Sequence, residues 1–130
     1  MKGKELLKVI AISLALLTTS ALGCGSAIQV YSESEQVIDV HVGQQFIIAL
    51  ESNPTTGYQW EVQFDDSLLK LAESKFEPSE EAKSGTLGAG GRQKFTFKGL
   101  RQGKTCVTLV YKRPWEEHPI QQRIFTVHIK

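Results

Sequence analysis

The amino-acid sequence predicts an all-β fold in which two antiparallel sheets pack face to face as a sandwich. Most of the chain after residue 36 consists of short runs in which apolar and polar residues alternate, as in strands with one buried face. Gly, Pro, Asn and Asp residues separate these runs, and no stretch there has the period of a helix. Seven to eight such strands predict an immunoglobulin-like antiparallel β-sandwich.

The first 23 residues are predicted to be an export signal rather than part of the sandwich. Three lysines precede an almost wholly apolar run at residues 9–17, which is shorter than a membrane-spanning helix requires. Small residues follow and end at Gly23-Cys24, an order that resembles a bacterial lipoprotein signal. In such signals cleavage falls before the cysteine, so we expect a lipid on the Cys24 thiol and a membrane-anchored protein of the bacterial cell envelope. The alternative is a plain signal peptide cut near Ala21.

Removal of residues 1–23 leaves 107 residues, which is enough for one domain with a real core. Residues 24–36 are mostly small and polar and are predicted as a tether, although residues 28–31 could pair as a short edge strand. The folded domain then covers residues 37–130. The chain after the signal has 12 basic and 13 acidic residues and no basic run, which argues against nucleic-acid binding.

Seven runs of the domain are predicted strands, of which the fourth is the weakest. They cover residues 37–42, 46–50, 60–64, 68–75, 93–98 and 105–111, and a last run that places Phe125, Val127 and Ile129 inward. Trp60 shares a strand face with Tyr58, Val62 and Phe64, so we predict it as a core pivot of the immunoglobulin kind. Residues 76–92 are rich in Glu, Ser, Lys and Gly and are predicted as a long exposed loop.

Residues that could support catalysis or bind a metal are scarce. The three histidines have no metal-ligand spacing, and no pocket signature surrounds any pair of carboxylates, so we expect neither a metal, a cofactor nor an enzyme. Cys106 lies within a predicted strand, where a buried or sheet-surface thiol is expected rather than a nucleophile. It is also the only cysteine besides Cys24, so the domain has no internal disulfide if Cys24 is acylated.

Three loops carry the unusual residues of the domain. They are Asn53-Pro54-Thr55-Thr56-Gly57-Tyr58, the glycine cluster Gly88-Ala89-Gly90-Gly91 that follows Leu87, and Arg113-Pro114-Trp115. In the first, Pro54 restricts Asn53, which can form an Asx-turn, and Gly57 permits a positive φ. The second offers a bare backbone to another surface, and the third places a tryptophan beside an arginine, a pair enriched in binding hot spots.

The order of the strands places these loops together. In an immunoglobulin-like sandwich, the loops after the second, fourth and sixth strands gather at one end. The threonine loop, the glycine cluster and the tryptophan loop follow the predicted strands in that order. Three such loops at one end of a rigid scaffold predict a binding edge.

The sequence closely resembles the chagasin family of cysteine-protease inhibitors from about residue 38 to residue 129. The three loops are similar to the three loop motifs of that family, in the same order and at compatible spacing. The resemblance implies a reversible, tight-binding, monomeric inhibitor that wedges its loops into the active-site cleft of papain-like (clan CA) cysteine proteases. It also implies that Thr56 lies nearest the catalytic cysteine, with Gly90 and Gly91 against one wall and Trp115 with Arg113 against the other.

Two other functions are compatible with the sequence. A β-sandwich presents loops for many ligands, so an envelope adhesin or a carbohydrate-binding module is the main alternative. A purely structural lipoprotein is a weaker one. The role of the acidic residues between Phe76 and Ser84 is left open, because this segment departs from the family pattern.

Overall fold

The computed structural model describes residues 27–130, so Cys24 and the predicted export signal lie outside the described residues. Within the described part, eight strands form two sheets of four. The strands are β1 (Gln29–Tyr31), β2 (Val37–Val40), β3 (Gln45–Ser52), β4 (Gln59–Gln63), β5 (Leu69–Pro78), β6 (Gly91–Gly99), β7 (Gly103–Lys112) and β8 (Gln121–Ile129). One short helix, α1 (Glu80–Lys83), lies between β5 and β6. None of the helices in residues 27–130 has both the length and the apolar content needed to cross a membrane.

The strands confirm the predicted sandwich. One sheet has the order β1-β3-β6-β5 and the other has the order β2-β8-β7-β4. The pairs formed among β3 to β8 are antiparallel, as predicted, whereas β1 pairs with β3 and β2 pairs with β8 in parallel. Parallel neighbours need a crossover connection, and here the chain crosses to the other sheet before it returns to the first.

The alternating residues of the strands fill the space between the sheets. The fully or almost fully buried side chains are Ile38, Val40, Phe46, Ile48, Leu50, Leu69, Phe95, Phe97, Val107, Leu109, Phe125, Val127 and Ile129. Two fully buried rings, those of Phe46 and Phe97, stack with centroids 5.5 Å apart. Since no disulfide joins the described residues, this packed layer holds the two sheets together.

Trp60 does not occupy the central position that its alternation predicts. It lies on the edge strand β4 and is only partly buried, where it packs against the margin of the core. Its ring stacks on that of Tyr111 with centroids 4.7 Å apart, and its Nε1–H donates to the carbonyl of Glu51 at 2.9 Å. It therefore joins the two sheets near the end of β3.

Two further predictions need correction. Residues 29–31, within the predicted tether, form strand β1 against β3, the alternative that the sequence left open. Residues 76–92 are not one loop, because β5 continues to Pro78, α1 follows, and β6 begins at Gly91. The polar composition excludes a buried strand but not the exposed ends of two paired strands, and Ser79 caps the helix by accepting from the Ala82 N–H at 3.2 Å.

The strand directions define two ends of the sandwich. At one, which we call the loop end, Ser52 pairs with Gly91 and Tyr111 pairs with Gln121. The turns at residues 41–44, 64–68 and 100–102 lie at the other, which we call the far end.

Candidate functional site

All three predicted loops lie at the loop end. Loop 1 (residues 53–58) connects β3 to β4, loop 2 (residues 84–90) connects α1 to β6, and loop 3 (residues 113–120) connects β7 to β8. Gly91, which the sequence assigns to the glycine cluster, is the first residue of β6.

Loop 1 is held rigid by its own hydrogen bonds. Asn53 forms the predicted Asx-turn, since its Oδ1 accepts from the Thr55 N–H at 3.3 Å and from the Thr55 hydroxyl at 2.6 Å. The Thr56 hydroxyl donates to the Asn53 carbonyl at 2.7 Å, and Gly57 turns the chain back with φ 86°. Pro54, Thr55 and Thr56 are exposed in a single 3-10 turn. Because the donors of both hydroxyls are already used inside the loop, the tip is a compact wedge rather than a reactive group.

The side chain of Asn53 also joins loop 1 to loop 2. Its Nδ2 donates to the Gly88 carbonyl at 2.9 Å, while its backbone N–H donates to the Tyr111 hydroxyl oxygen at 3.0 Å. The half-buried residue Asn53 therefore links the first two loops through its side-chain amide, and loop 1 to the end of β7 through its backbone N–H.

The glycines of loop 2 are needed for packing within the domain. A Cβ on Gly90 would lie 2.5 Å from the Ser52 carbonyl oxygen, and a Cβ on Gly91 would collide with the Glu77 carbonyl. Gly88 has φ 77°, a conformation that other residues adopt only with strain. The cluster thus lets loop 2 lie directly against β3 and β5. Leu87 extends from it with 96% of its surface exposed.

Arg113 joins loop 3 to the other side of loop 1. Its Nε donates to the Thr56 carbonyl at 3.2 Å, and its guanidinium lies 4.4 Å from the centroid of the Tyr58 ring. Its Nη1 forms an ion pair with Glu116 at 3.3 Å. Arginine is suited to this position, because its planar group can stack and donate at the same time.

Trp115 is exposed at the tip of loop 3, as predicted, with 73% of its surface accessible. One edge of its ring lies beside Gly57, where an added Cβ would come within 3.3 Å of Cη2. The Arg113 guanidinium is 5.9 Å from the ring centroid. The tryptophan is thus supported on one side and open on the other, as in a residue that contacts a partner.

Sequence reasoning gave no role at the site to three residues within or beside the loops. The Tyr111 hydroxyl accepts from the Asn53 N–H of loop 1, and the Glu116 carboxylate forms an ion pair with Arg113. The exposed side chain of Leu87 is adjacent to the glycine cluster. Tyr111 could have been found from the sequence, because a tyrosine at the end of an inward-facing run needs a polar partner for its hydroxyl. The other two depend on loop conformations that alternation does not encode.

The acidic segment between Phe76 and Ser84 lies beside loop 2 and lines an open groove of about 740 Å³ with Ser52, Gly90 and Tyr111. A hydrogen bond and ion pair with Lys94 lower the pKa of the Glu77 carboxyl. The segment is therefore adjacent to the three loops, although nothing in its geometry assigns it a role.

Neither a metal-binding group nor Cys106 lies among the three loops in the described residues. Within residues 27–130, no three His, Cys, Asp or Glu side chains are grouped so that they could hold a metal ion. Cys106 is exposed in the middle of β7, opposite Thr126 of β8, and so lies away from the loops.

We expect Asn53→Asp to weaken any interaction that depends on the relative position of loops 1 and 2. Aspartate keeps the acceptor for the Thr55 N–H but cannot donate to the Gly88 carbonyl, which its charge would instead repel. The loss should be about 1–3 kcal/mol in binding of the partner. Dissociation constants of the complex with the partner and urea midpoints, for the variant and the wild type, check this. Equal affinity of a folded Asn53→Asp variant would show that the link is dispensable.

Comparison with known proteins identifies relatives of this chain. The profile of the chagasin family peptidase inhibitors (I42) matches residues 39–129. Amoebiasin-2 of Entamoeba histolytica is 29% identical over 123 residues, which cover 92% of this chain and 97% of that protein. Chagasin of Trypanosoma cruzi is 34% identical over 98 residues, which cover 72% of this chain and 86% of chagasin.

A solved structure agrees with these relatives. PbICP-C, in complex with falcipain-2, matches the fold with a TM-score of 0.51 and 25% identity, over 84% of this chain and 96% of PbICP-C. The matched residues 39–129 contain both sheets and all three loops, apart from strand β1 and the first residues of β2. With this fold, these loops and these relatives, the chain belongs to the chagasin family of cysteine protease inhibitors, which are not enzymes.

Proposed function

We propose that this protein inhibits papain-like cysteine proteases by placing its three loops in the active-site cleft. The observation that carries the proposal is the set of bonds that fix the loops to one another, from the Gly88 carbonyl through Asn53 and Thr56 to Arg113. Loops that are fixed before binding lose little conformational entropy on docking. The complex of the relative PbICP-C with falcipain-2 supports a cysteine protease as the partner.

The proposed inhibition is reversible and non-covalent. The exposed groups of loop 1 are a proline and two threonines whose hydroxyls donate within the loop. Each hydroxyl donates to an oxygen of Asn53, and no base among the described residues accepts its proton, so neither is an activated nucleophile. The 3-10 turn also keeps this backbone out of the extended conformation in which a substrate is cleaved. The proposed mode of inhibition is therefore steric exclusion of the substrate from the cleft.

The arrangement of the loops suggests which parts of the cleft they contact. Loop 1 lies between the other two, because Asn53 contacts loop 2 while Thr56 and Gly57 contact loop 3. We place Thr56 at the centre of the cleft, nearest the catalytic cysteine. The backbone of Gly88, Ala89, Gly90 and Gly91 then faces one wall, together with exposed Leu87, and Trp115 with Arg113 faces the other.

A titration of papain with the purified domain, residues 25–130, tests this function. We expect an inhibition constant in the nanomolar range, which corresponds to about 12 kcal/mol of binding free energy. Trypsin and thermolysin serve as controls and should keep their activity, because a wedge shaped for one cleft does not fit a differently shaped one. Undiminished papain and cathepsin activity at about micromolar inhibitor would reject the proposal and favour an adhesin or carbohydrate-binding module.

We also propose that Cys24 is lipidated and that the protein is anchored to a membrane of the bacterial cell envelope. The support is the order of lysines, apolar run and small residues that precede Cys24. Cys24→Ser should then move the protein from the membrane fraction to the soluble fraction and abolish labelling by fatty acid. A wild-type protein that is soluble and begins at another residue would show an ordinary signal peptide.

A further inference from the structure

The first strand fixes the end of the domain from which the N-terminal segment leaves. In the parallel pair of β1 and β3, Gln29 lies opposite Phe46 and Tyr31 lies opposite Ile48. Because β3 continues from Phe46 toward Ser52 and loop 1, β1 also runs toward the loop end. Ala27 precedes β1 and is therefore displaced toward the far end.

The hydrogen bonds of the neighbouring turns define the far end. The Gly43 N–H donates to the Gly99 carbonyl at 2.8 Å, and the Val42 N–H donates to the Lys130 carbonyl at 3.1 Å. These bonds join the β2–β3 turn to the end of β6 and to the residue that follows β8. The far end is thus a connected surface formed by three parts of the chain.

Strand lengths separate this surface from the loops. Phe46 and Ser52 are six residues apart in β3, which corresponds to about 20 Å along the strand, and loop 1 extends beyond Ser52. Cys24 is three residues before Ala27, so its Cα lies within about 11 Å of the Ala27 Cα in any conformation. A lipid on Cys24 is therefore attached near the far end and cannot be placed beside the tips of the loops.

We infer that the far end faces the membrane and that the three loops face the aqueous phase, so that the anchored protein captures soluble proteases without leaving the membrane. The inference rests on the proposed function and on the proposed lipidation of Cys24. It adds to them the orientation of the domain on the membrane. The protease binds on the side of the domain that faces away from the lipid.

The composition of the far end is compatible with a lipid surface. Exposed apolar side chains occur there at Ile28, Val42 and Leu100, with 46%, 49% and 42% of their surfaces accessible. The charged side chains nearby have both signs. They include Asp65, Asp66, Arg101, Lys104 and Lys130. Because the charge is mixed, attachment should depend on the lipid of Cys24 and not on anionic phospholipids.

Depth measurements on the full chain test the orientation. The protein is produced in a bacterial host that acylates lipoproteins and is reconstituted into phosphatidylcholine vesicles. A Cys106→Ser background leaves an introduced cysteine as the thiol available for a fluorophore, either Val42→Cys at the far end or Thr55→Cys in loop 1. We expect lipids with a spin-labelled headgroup to quench the first position strongly and the second weakly. Quenching at Thr55 equal to or stronger than that at Val42 would overturn the inference.

Inhibition at the vesicle surface gives a second measurement. The wild-type protein on vesicles and the soluble Cys24→Ser variant should inhibit papain with constants that agree within about threefold. A vesicle-bound form that is weaker by about tenfold or more would mean that the loops are obstructed. Wild-type protein that does not float with the vesicles, with Cys24→Ser as the negative control, would also refute the inference. If neither form inhibits papain, the proposed function fails, whereas the quenching still reports the orientation.

Discussion

Thr56→Glu should weaken inhibition of papain by about two to four orders of magnitude while the domain stays folded. An unpaired charge buried at an interface costs about 3–5 kcal/mol, and each 1.4 kcal/mol is about a factor of ten in the inhibition constant. Thr56 is exposed at the loop tip, so its replacement creates no cavity in the core. Inhibition constants and urea midpoints for the variant and the wild type are the measurements.

Two matched variants separate bulk and charge from loss of the hydroxyl. Thr56→Ser keeps the hydroxyl that donates to the Asn53 carbonyl, and Thr56→Val keeps the shape but removes the donor. We expect Thr56→Ser to inhibit within about fivefold of the wild type, and Thr56→Val to lose about 1 kcal/mol of stability with the hydrogen bond. If Thr56→Glu inhibits as strongly as Thr56→Ser, then Thr56 does not enter the cleft.

The sheets were predictable because alternation in a half-buried strand is a local property of the sequence. Phe95 and Phe97, for example, alternate with polar residues and are buried as that pattern requires. Strand β1 is only three residues long and is exposed or half-buried throughout, so alternation could not distinguish it from a tether. The end of β5 and the start of β6 are polar strand ends that pair with each other, a property that composition does not reveal.

The position of the three loops at one end of the sandwich was predictable, but the bonds between them were not. The Asx-turn of Asn53 and the positive φ of Gly57 follow from residues that are adjacent in sequence. The bond from Arg113 to the Thr56 carbonyl spans 57 positions, and that from Asn53 to the Gly88 carbonyl spans 35. Such bonds arise only when the folded strands bring the loops together. The sequence therefore indicated that the three loops lie together, whereas the structure shows the bonds that fix them to one another.

The two tryptophans should separate binding from stability. Trp115→Ala should weaken inhibition by about 2 kcal/mol or more, which is about thirtyfold, as for a hot-spot residue. It removes a side chain that is 73% exposed and contacts only the margin of loop 1 at Gly57 and the Arg113 guanidinium, so the stability loss should be within about 0.5 kcal/mol. Trp60→Ala removes the ring stacked on Tyr111 and the hydrogen bond to the Glu51 carbonyl, and should cost about 3 kcal/mol of stability.

The comparison requires urea midpoints of both variants and inhibition constants corrected for the folded fraction. Trp60→Ala is expected to lower the midpoint far more than Trp115→Ala. Trp60→Ala should also weaken inhibition, but less than Trp115→Ala does. The effect is indirect, because Trp60 stacks on Tyr111, whose hydroxyl accepts from the Asn53 N–H of loop 1. Trp60→Phe, which keeps a ring for stacking, should restore most of that effect. If Trp115→Ala instead lowers the midpoint as much as Trp60→Ala and leaves inhibition unchanged, then Trp115 stabilises the fold and loop 3 does not contact the protease.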